Sequence, residues 1–143
     1  MNWEIFGVQR LKAYETRQQA ARDIPERIKL LELEFTSIRS AIKDGMPSGN
    51  SDREAQLVGN IAKREELKAN LEIVKREIEL TERGLEALDD EEKRVLYIFF
   101  INRPHGHIEL LCEELCYEKT KVYSLKDRAL KKFTLACYGV VDV

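Results

Sequence analysis

The sequence contains few of the residues that interrupt regular structure, with 7 glycines and 3 prolines among 143 residues. Its charged fraction is 35% and its hydrophobic fraction is 43%, a balance that favours a folded, helix-rich chain over a disordered one. Its longest apolar stretch, Val95–Ile101, is much shorter than the roughly 20 residues that cross a bilayer. We therefore expect a soluble all-α protein with no membrane partner.

Signals for export and for disulfide formation are also lacking. Met1–Glu4 does not provide the basic start that precedes the apolar core of a signal peptide. The three cysteines, Cys112, Cys116 and Cys137, are an odd set that fits reduced thiols better than a disulfide framework. We expect a cytoplasmic location.

The net charge of -2 conceals two neighbouring segments of opposite sign. From Asp89 to Glu118, eight acidic residues face three basic ones, a net charge of -5. From Lys119 to Phe133, six basic residues face only Asp127, a net charge of +5. The second segment is the part of the chain best suited to a polyanionic partner.

Apolar residues at alternating steps of four and three predict a long helix that packs against another helix. They are Ile24, Ile28, Leu31, Phe35, Ile38 and Ile42. After a segment rich in Gly, Pro and Ser at 44–50, a second stripe is interrupted by Arg64 and Thr81 and comprises Leu57, Ile61, Leu71, Val74, Ile78, Leu85 and Leu88. The two stripes predict a coiled-coil-like helical hairpin between about Asp23 and Leu88. The hairpin closes either on itself or on a second chain.

Capping-box spacings mark the predicted helix starts. Asp23 with Glu26, and Ser51 with Glu54, have the separation at which two side chains satisfy the first free amides of a helix. Pro25 would then lie in a first helical turn, after a separate, shorter helix from about Trp3 to Ala21. Asp89 with Glu92 has the same spacing and predicts a further helix, whose buried face is Val95, Leu96, Phe99 and Phe100.

Residues 108–127 have the spacing of a helix-turn-helix unit. Leu111 and Leu115 lie one turn apart on its first helix, and the small Cys112 lies where the two helices must approach closely. Tyr117 follows the turn as an apolar anchor. The inward face of the second helix is predicted to be Val122, Leu125, Ala129 and Phe133.

The opposite face of this second helix then presents polar and basic side chains. We expect four residues to contact base edges in the major groove of double-stranded DNA, namely Lys119, Thr120, Tyr123 and Ser124. We expect five more to contact phosphates, namely Lys121, Lys126, Arg128, Lys131 and Lys132. A solvated lysine-rich helix surface with no DNA role is the simpler alternative.

Leu88–Leu96, the helix-turn-helix unit and Arg128-Ala129-Leu130 together resemble region four of sigma factors. Lys126–Thr134 with Tyr138-Gly139 is similar to phage and prophage proteins related to late-transcription activators of Gram-positive hosts. The resemblance implies a sequence-specific transcriptional regulator in the cytoplasm of a bacterial host, with host RNA polymerase as a candidate partner and no cofactor. This sequence departs from the usual motif at the turn, where Cys116 stands in place of glycine.

This interpretation divides the chain into an N-terminal region at 1–87 and a DNA-binding domain at 88–143. The N-terminal region would serve homodimerisation or partner docking through the hairpin. Two other interpretations use the same parts: a phage DNA-packaging or other structural DNA-handling protein, and an interaction module without DNA binding.

Chemistry of other kinds has little support in the sequence. His105, His107, Cys112 and Cys116 could suggest zinc, but their spacing matches no common zinc finger, and Cys112 is needed in the core. No nucleophile and base pair, phosphate-binding glycine loop or pair of catalytic carboxylates stands out. We therefore expect neither a metal site nor an enzyme.

Overall fold

A computed structural model of the chain describes residues 2–43 and 50–140, and within these ranges the protein is all-α, as predicted. Five α-helices follow in order, α1 (Trp3–Lys43), α2 (Asn50–Glu86), α3 (Asp90–Leu96), α4 (His107–Leu115) and α5 (Lys119–Tyr138). A π-helical turn, Tyr97–Ile101, continues α3. No helix in these ranges is both long and apolar enough to cross a membrane.

Helix α1 is longer than predicted, because no helix begins at Asp23. The chain is helical without a break from Trp3 to Lys43, with Pro25 in its interior. Asp23 accepts a hydrogen bond from Gln19 Nε2 at 2.8 Å within that helix, so the predicted capping box with Glu26 is wrong. Pro25 removes one backbone donor, but Ile24 and Ile28 on either side of it are both buried. The continuous apolar face outweighs the local start signal. The second predicted box depends on the Ser51 side chain, which lies outside the described residues.

The structure divides into two compact units that do not follow the predicted boundary at 87/88. The first unit contains the residues up to Arg17 together with those from Arg76 onward, and the second unit is Gln18–Lys75. The two ends of the long-helix region therefore belong to the same unit as α3, α4 and α5. A boundary drawn by helical periodicity misses this, because α1 and α2 each continue through a change of unit without a change of secondary structure.

The second unit has a partly polar seam. Asn60 is buried, donating from Nδ2 to the Leu31 carbonyl at 2.7 Å and accepting from Arg64 Nε at 2.8 Å. The Arg64 guanidinium lies over the Phe35 ring, 4.9 Å from its centroid. Ile61, predicted for this seam, is instead 44% exposed. Counting back along α2 from Leu67 in steps of three and then four leads to Arg64 and Asn60, so Asn60 takes the seam position expected of Ile61. A polar residue at such a position specifies the register of the two helices.

The first unit is built around two groups of buried apolar residues. One group combines Leu11 of α1 with Leu96 of α3 and Phe133 of α5. The other contains Val95, Ile98 and Phe99 with Ile108 and Leu111 of α4, and Val122 and Leu125 of α5. Helix α3 begins with the predicted capping box, in which Asp89 accepts from the Glu92 amide at 2.8 Å and Glu92 accepts from the Asp89 amide at 3.1 Å.

Close packing at the end of α2 requires glycine at position 84. A Cβ placed on Gly84 would lie 2.5 Å from Cys137 Sγ and 2.6 Å from Phe133 Cε2. Phe133 is fully buried, so any shift of its ring would disturb a closely packed core. Gly59 in the same helix is different, because nothing lies within 4 Å of a Cβ built there.

Candidate nucleic-acid interface

Helix α5 is held against α3 and α4 by the inward residues that the sequence predicted. Leu111, Val122, Ala129 and Phe133 are fully buried, and Leu125 is nearly so. Across the unit, Arg94 of α3 donates to both carboxylate oxygens of Glu114 of α4, from Nε at 2.9 Å and from an Nη at 2.7 Å. This bidentate pair holds the pKa of Glu114 below its ordinary value, chiefly through the hydrogen bonds. Because the face of α5 that contains Val122, Ala129 and Phe133 is buried, the residues on its opposite face point toward solvent.

The turn between α4 and α5 keeps a left-handed backbone although it has no glycine. Cys116 has φ 58° and ψ 40°, a conformation that costs a residue with a Cβ about 1 kcal/mol. The turn then continues through Tyr117, whose amide donates to the Cys112 carbonyl at 3.3 Å. The conformation expected of the usual glycine is therefore retained, and α5 begins at Lys119 after a turn of three residues.

Tyr117 ties the start of α5 to α3. Its hydroxyl donates to the Glu91 carboxylate, with distances of 2.9 and 3.0 Å to the two oxygens, and this bond is the main reason why the pKa of Tyr117 is raised. The ammonium of Lys121 lies 3.9 Å from the centroid of the Tyr117 ring. One of the predicted phosphate contacts is thus a cation resting on an aromatic ring, with its side chain exposed.

The four residues predicted to contact bases lie together on the outer surface of α5. Lys119, Thr120, Tyr123 and Ser124 are all exposed, at positions that fall on neighbouring turns of one helix face. Tyr123 is 41% exposed and packs edge-on against Phe99, with ring centroids 5.8 Å apart. We call these four residues the outer face of α5. The contact with Phe99 restricts Tyr123, whereas Lys119, Thr120 and Ser124 make no side-chain hydrogen bond or ion pair within the described part of the chain.

A buried carboxylate holds two of the predicted phosphate contacts. Glu92 is 1% exposed, and its oxygens lie 3.0 and 3.1 Å from Lys132 Nζ and 3.7 Å from Arg128 Nε. The sequence identified Glu92 as a capping residue but not as the partner of these bases. No local signal could have found the pair, because the two partners are separated by 36 and 40 positions along the chain.

The other basic residues of α5 differ in how strongly the protein holds them. Lys126 is partly buried, pairs with Asp127 Oδ1 at 2.7 Å and lies 5.7 Å from the centroid of the Phe99 ring. Lys131 is exposed and has no ion pair among the described residues. Of the five predicted phosphate contacts, Lys131 is thus the one with the least competition from within the protein.

The first turn of α5 also offers backbone donors. Its N-cap residue is Glu118, whose side chain makes no capping hydrogen bond. Amides at the start of a helix without such a cap can bind phosphate oxygens, with help from the helix dipole. Lys119 and Lys121 add positive charge at the same end of the helix.

The residues considered for zinc do not form a site in the described ranges. His107 accepts hydrogen-bond contacts from Arg103 and packs edge-on against Phe99 at 5.1 Å. Burial and the nearby Arg103 charge lower the pKa of His107. All three cysteines are free thiols. Across residues 2–43 and 50–140, no three His, Cys, Asp or Glu side chains are grouped closely enough to hold a metal ion.

No protein-family model, curated protein or solved structure matches this chain. The geometry of α5 is therefore the basis on which a function can be assigned.

Proposed function

We propose that this protein is a sequence-specific DNA-binding transcriptional regulator of phage or prophage genes. The outer face of α5 would enter the major groove of double-stranded DNA, where Lys119 donates to guanine and Thr120 and Ser124 contact neighbouring base edges. One observation carries the proposal: these side chains are exposed on a helix whose opposite face is buried at Val122, Leu125 and Ala129. A helix anchored in this way can present its polar face in a fixed orientation.

Phosphate contacts would then position the helix in the groove. The uncapped amides at the start of α5, the exposed ammonium groups of Lys121 and Lys131 and the partly buried Lys126 are suited to this role. Arg128 and Lys132 can contribute only by giving up or sharing their contacts with Glu92. The electrostatic contribution to DNA affinity is consequently smaller than the +5 charge of the segment alone would indicate.

The proposed regulator acts as a homodimer, with host RNA polymerase as its second protein partner. Asn60 and Arg64 contact Leu31 and Phe35 within one chain, so a second copy would have to use the outer surfaces of the second unit. Several large apolar side chains are exposed there, namely Leu30, Leu33, Val58, Ile61 and Ile73. Sedimentation of the wild type beside Leu33→Lys tests the dimer, since a dimer through that surface should dissociate in the variant.

The experiment that tests DNA reading is selection from a library of random duplexes at near-physiological salt. The wild type should enrich one motif, and Thr120→Ala/Ser124→Ala should lose or alter it. Lys12→Ala provides a control, because Lys12 is exposed on α1 and belongs to no proposed DNA contact. Wild-type protein that binds the library without enriching a motif would contradict sequence-specific reading. A large ring-like assembly in solution would favour DNA packaging instead.

A further inference from the structure

The first unit contains a pocket that the proposed DNA-binding surface does not use. Its volume is about 380 Å³, within the range of roughly 300 to 1,000 Å³ that is typical of small-molecule sites. The lining residues are Trp3, Phe6, Gln9, Arg10, Arg17 and Tyr138. All of them come from the beginning of α1 and the end of α5.

Three aromatic rings form the apolar part of this pocket. The centroid of the Trp3 indole lies 5.9 Å from that of Phe6 and 5.3 Å from that of Tyr138. The ring planes are tilted to one another by 60° and 38°, so the three rings do not close on each other as a parallel stack. Phe6 remains 40% exposed. A flat ring entering the pocket would cover apolar surface that now faces solvent.

The polar lining of the pocket includes Arg10 and Arg17, and the carboxylate that pairs with them among the described residues is that of Glu77. Arg10, with 10% of its side chain exposed, donates to the Glu77 carboxylate, to the Glu77 carbonyl at 3.2 Å and to the Tyr138 hydroxyl at 3.0 Å. Glu77 is therefore already paired. Arg17 reaches the same carboxylate only at 3.9 Å, through an Nη1 atom that is shielded from solvent and has no hydrogen-bond partner among the described residues.

This arrangement leaves Arg17 with unused hydrogen-bonding capacity and the pocket with one uncompensated positive charge. A buried guanidinium nitrogen without an acceptor is unfavourable, and an anionic oxygen placed beside it would relieve that cost. A single negative charge balances Arg10, Arg17 and Glu77, whereas a dianion would exceed the available charge. The aromatic rings on one side of the pocket and the Arg17 guanidinium on the other favour a planar ligand with one negative charge.

We propose that this pocket binds a small aromatic monocarboxylate. Its ring contacts Trp3, Phe6 and Tyr138, and its carboxylate accepts hydrogen bonds from Arg17. Gln9, which is exposed at the rim, can donate a further hydrogen bond. The site is separate from the outer face of α5, so ligand binding can be measured without DNA.

The chain contains one tryptophan, which lines the pocket, so its fluorescence reports on the site directly. The full chain is titrated with benzoate, with the neutral isostere benzamide and with acetate, which lacks the ring. Benzoate should give a saturable change, and benzamide and acetate should each bind at least about tenfold more weakly, since each lacks one of the two recognised features. Absence of saturation with benzoate, or equal binding of benzoate and benzamide, would overturn the proposal on the wild type alone.

Two variants, each of which removes one positive charge from α1, test where benzoate binds. Arg17→Gln should weaken benzoate binding about tenfold or more, and Lys12→Gln, which alters an exposed neighbour on α1, should leave it within about twofold. Phe6→Ala should also weaken benzoate binding, because it removes one wall. Benzoate affinity that is unchanged in both Arg17→Gln and Phe6→Ala would place the ligand elsewhere and refute the assignment.

Discussion

Replacing Lys132 with methionine tests the role of the buried Glu92 carboxylate in the stability of the first unit. Methionine keeps most of the aliphatic length of the side chain but removes the ammonium group. Glu92, with 1% of its side chain exposed, would retain only Arg128, whose Nε lies 3.7 Å away. The capping hydrogen bond between Glu92 and the Asp89 amide would remain. The variant therefore isolates the ion pair from the cap.

The expected loss of stability follows from how much water can replace the missing ammonium group. Breaking a fully buried ion pair costs about 3–5 kcal/mol, because a charge is left without a partner. Lys132 is 49% exposed and Arg128 remains nearby, so solvent and the second cation recover part of that energy. We expect the free energy of unfolding to fall by roughly 1–3 kcal/mol. Lys131→Met, at an exposed position without an ion pair, should change it by less than about 0.5 kcal/mol.

Urea unfolding followed by far-UV circular dichroism measures both variants. Combining Glu92→Gln with Lys132→Met should cost less than the sum of the single changes, by about 1 kcal/mol or more, because the second substitution removes the charge that the first leaves unpaired. If Lys132→Met and Lys131→Met unfold at the same urea concentration, Glu92 is solvated without Lys132 and the ion pair does not stabilise the first unit. Strict additivity in the double variant would lead to the same conclusion.

Three further predictions concern the backbone and the helix cap. Gly84→Ala should lower the free energy of unfolding by about 1–3 kcal/mol through overlap with Phe133, whereas Gly59→Ala should raise it by about 0.5–1 kcal/mol, and equal effects in urea unfolding would contradict the packing at Gly84. Cys116→Gly should raise the free energy of unfolding by about 0.5–1 kcal/mol, because glycine adopts the left-handed backbone without strain. A melting temperature that does not rise in this variant would contradict the prediction. The hydrogen bond from the Glu92 amide holds the pKa of Asp89 below its ordinary value, so this carboxylate stabilises the folded state at neutral pH, and the contribution is lost as the pH falls through the lowered pKa. Asp89→Asn still caps α3 but does not titrate, and should therefore flatten the acid side of the pH–stability profile; an unchanged profile would exclude Asp89 from acid unfolding.

The features that sequence predicted well depend on residues close together in the chain. The box formed by Asp89 and Glu92 needs only one helical turn, and its two hydrogen bonds are present. The buried stripe from Val122 to Phe133 depends on helical periodicity alone, and its predicted members are buried. Local chemistry and periodicity are sufficient in both cases, because the distant partners of these residues are compatible with the local pattern: Lys132 contacts Glu92 while the capping hydrogen bonds remain in place.

The features that sequence did not predict depend on partners elsewhere in the chain. Asp23 and Glu26 have a helix-start spacing, but α1 passes through them because the apolar face continues past Pro25. At Asn60, the seam takes a polar residue in preference to the adjacent Ile61, since the Asn60 amide reaches the Leu31 carbonyl. The attachment of Lys132 and Arg128 to Glu92 likewise depends on the packing of α5 against α3. Polar pairing across helices decides each of the last two cases.

In the proposed function, the outer face of α5 reads bases while the flanking cations only position the helix. The most direct measurement compares affinities for the selected duplex and a scrambled duplex over a range of salt concentrations, for the wild type, Ser124→Ala and Lys131→Ala. Ser124→Ala should lose roughly 1–3 kcal/mol on the selected duplex alone, with little change in salt dependence. Lys131→Ala should weaken both duplexes alike and reduce the log–log salt slope by about one unit. Equal losses on both duplexes for Ser124→Ala would contradict base reading by this helix.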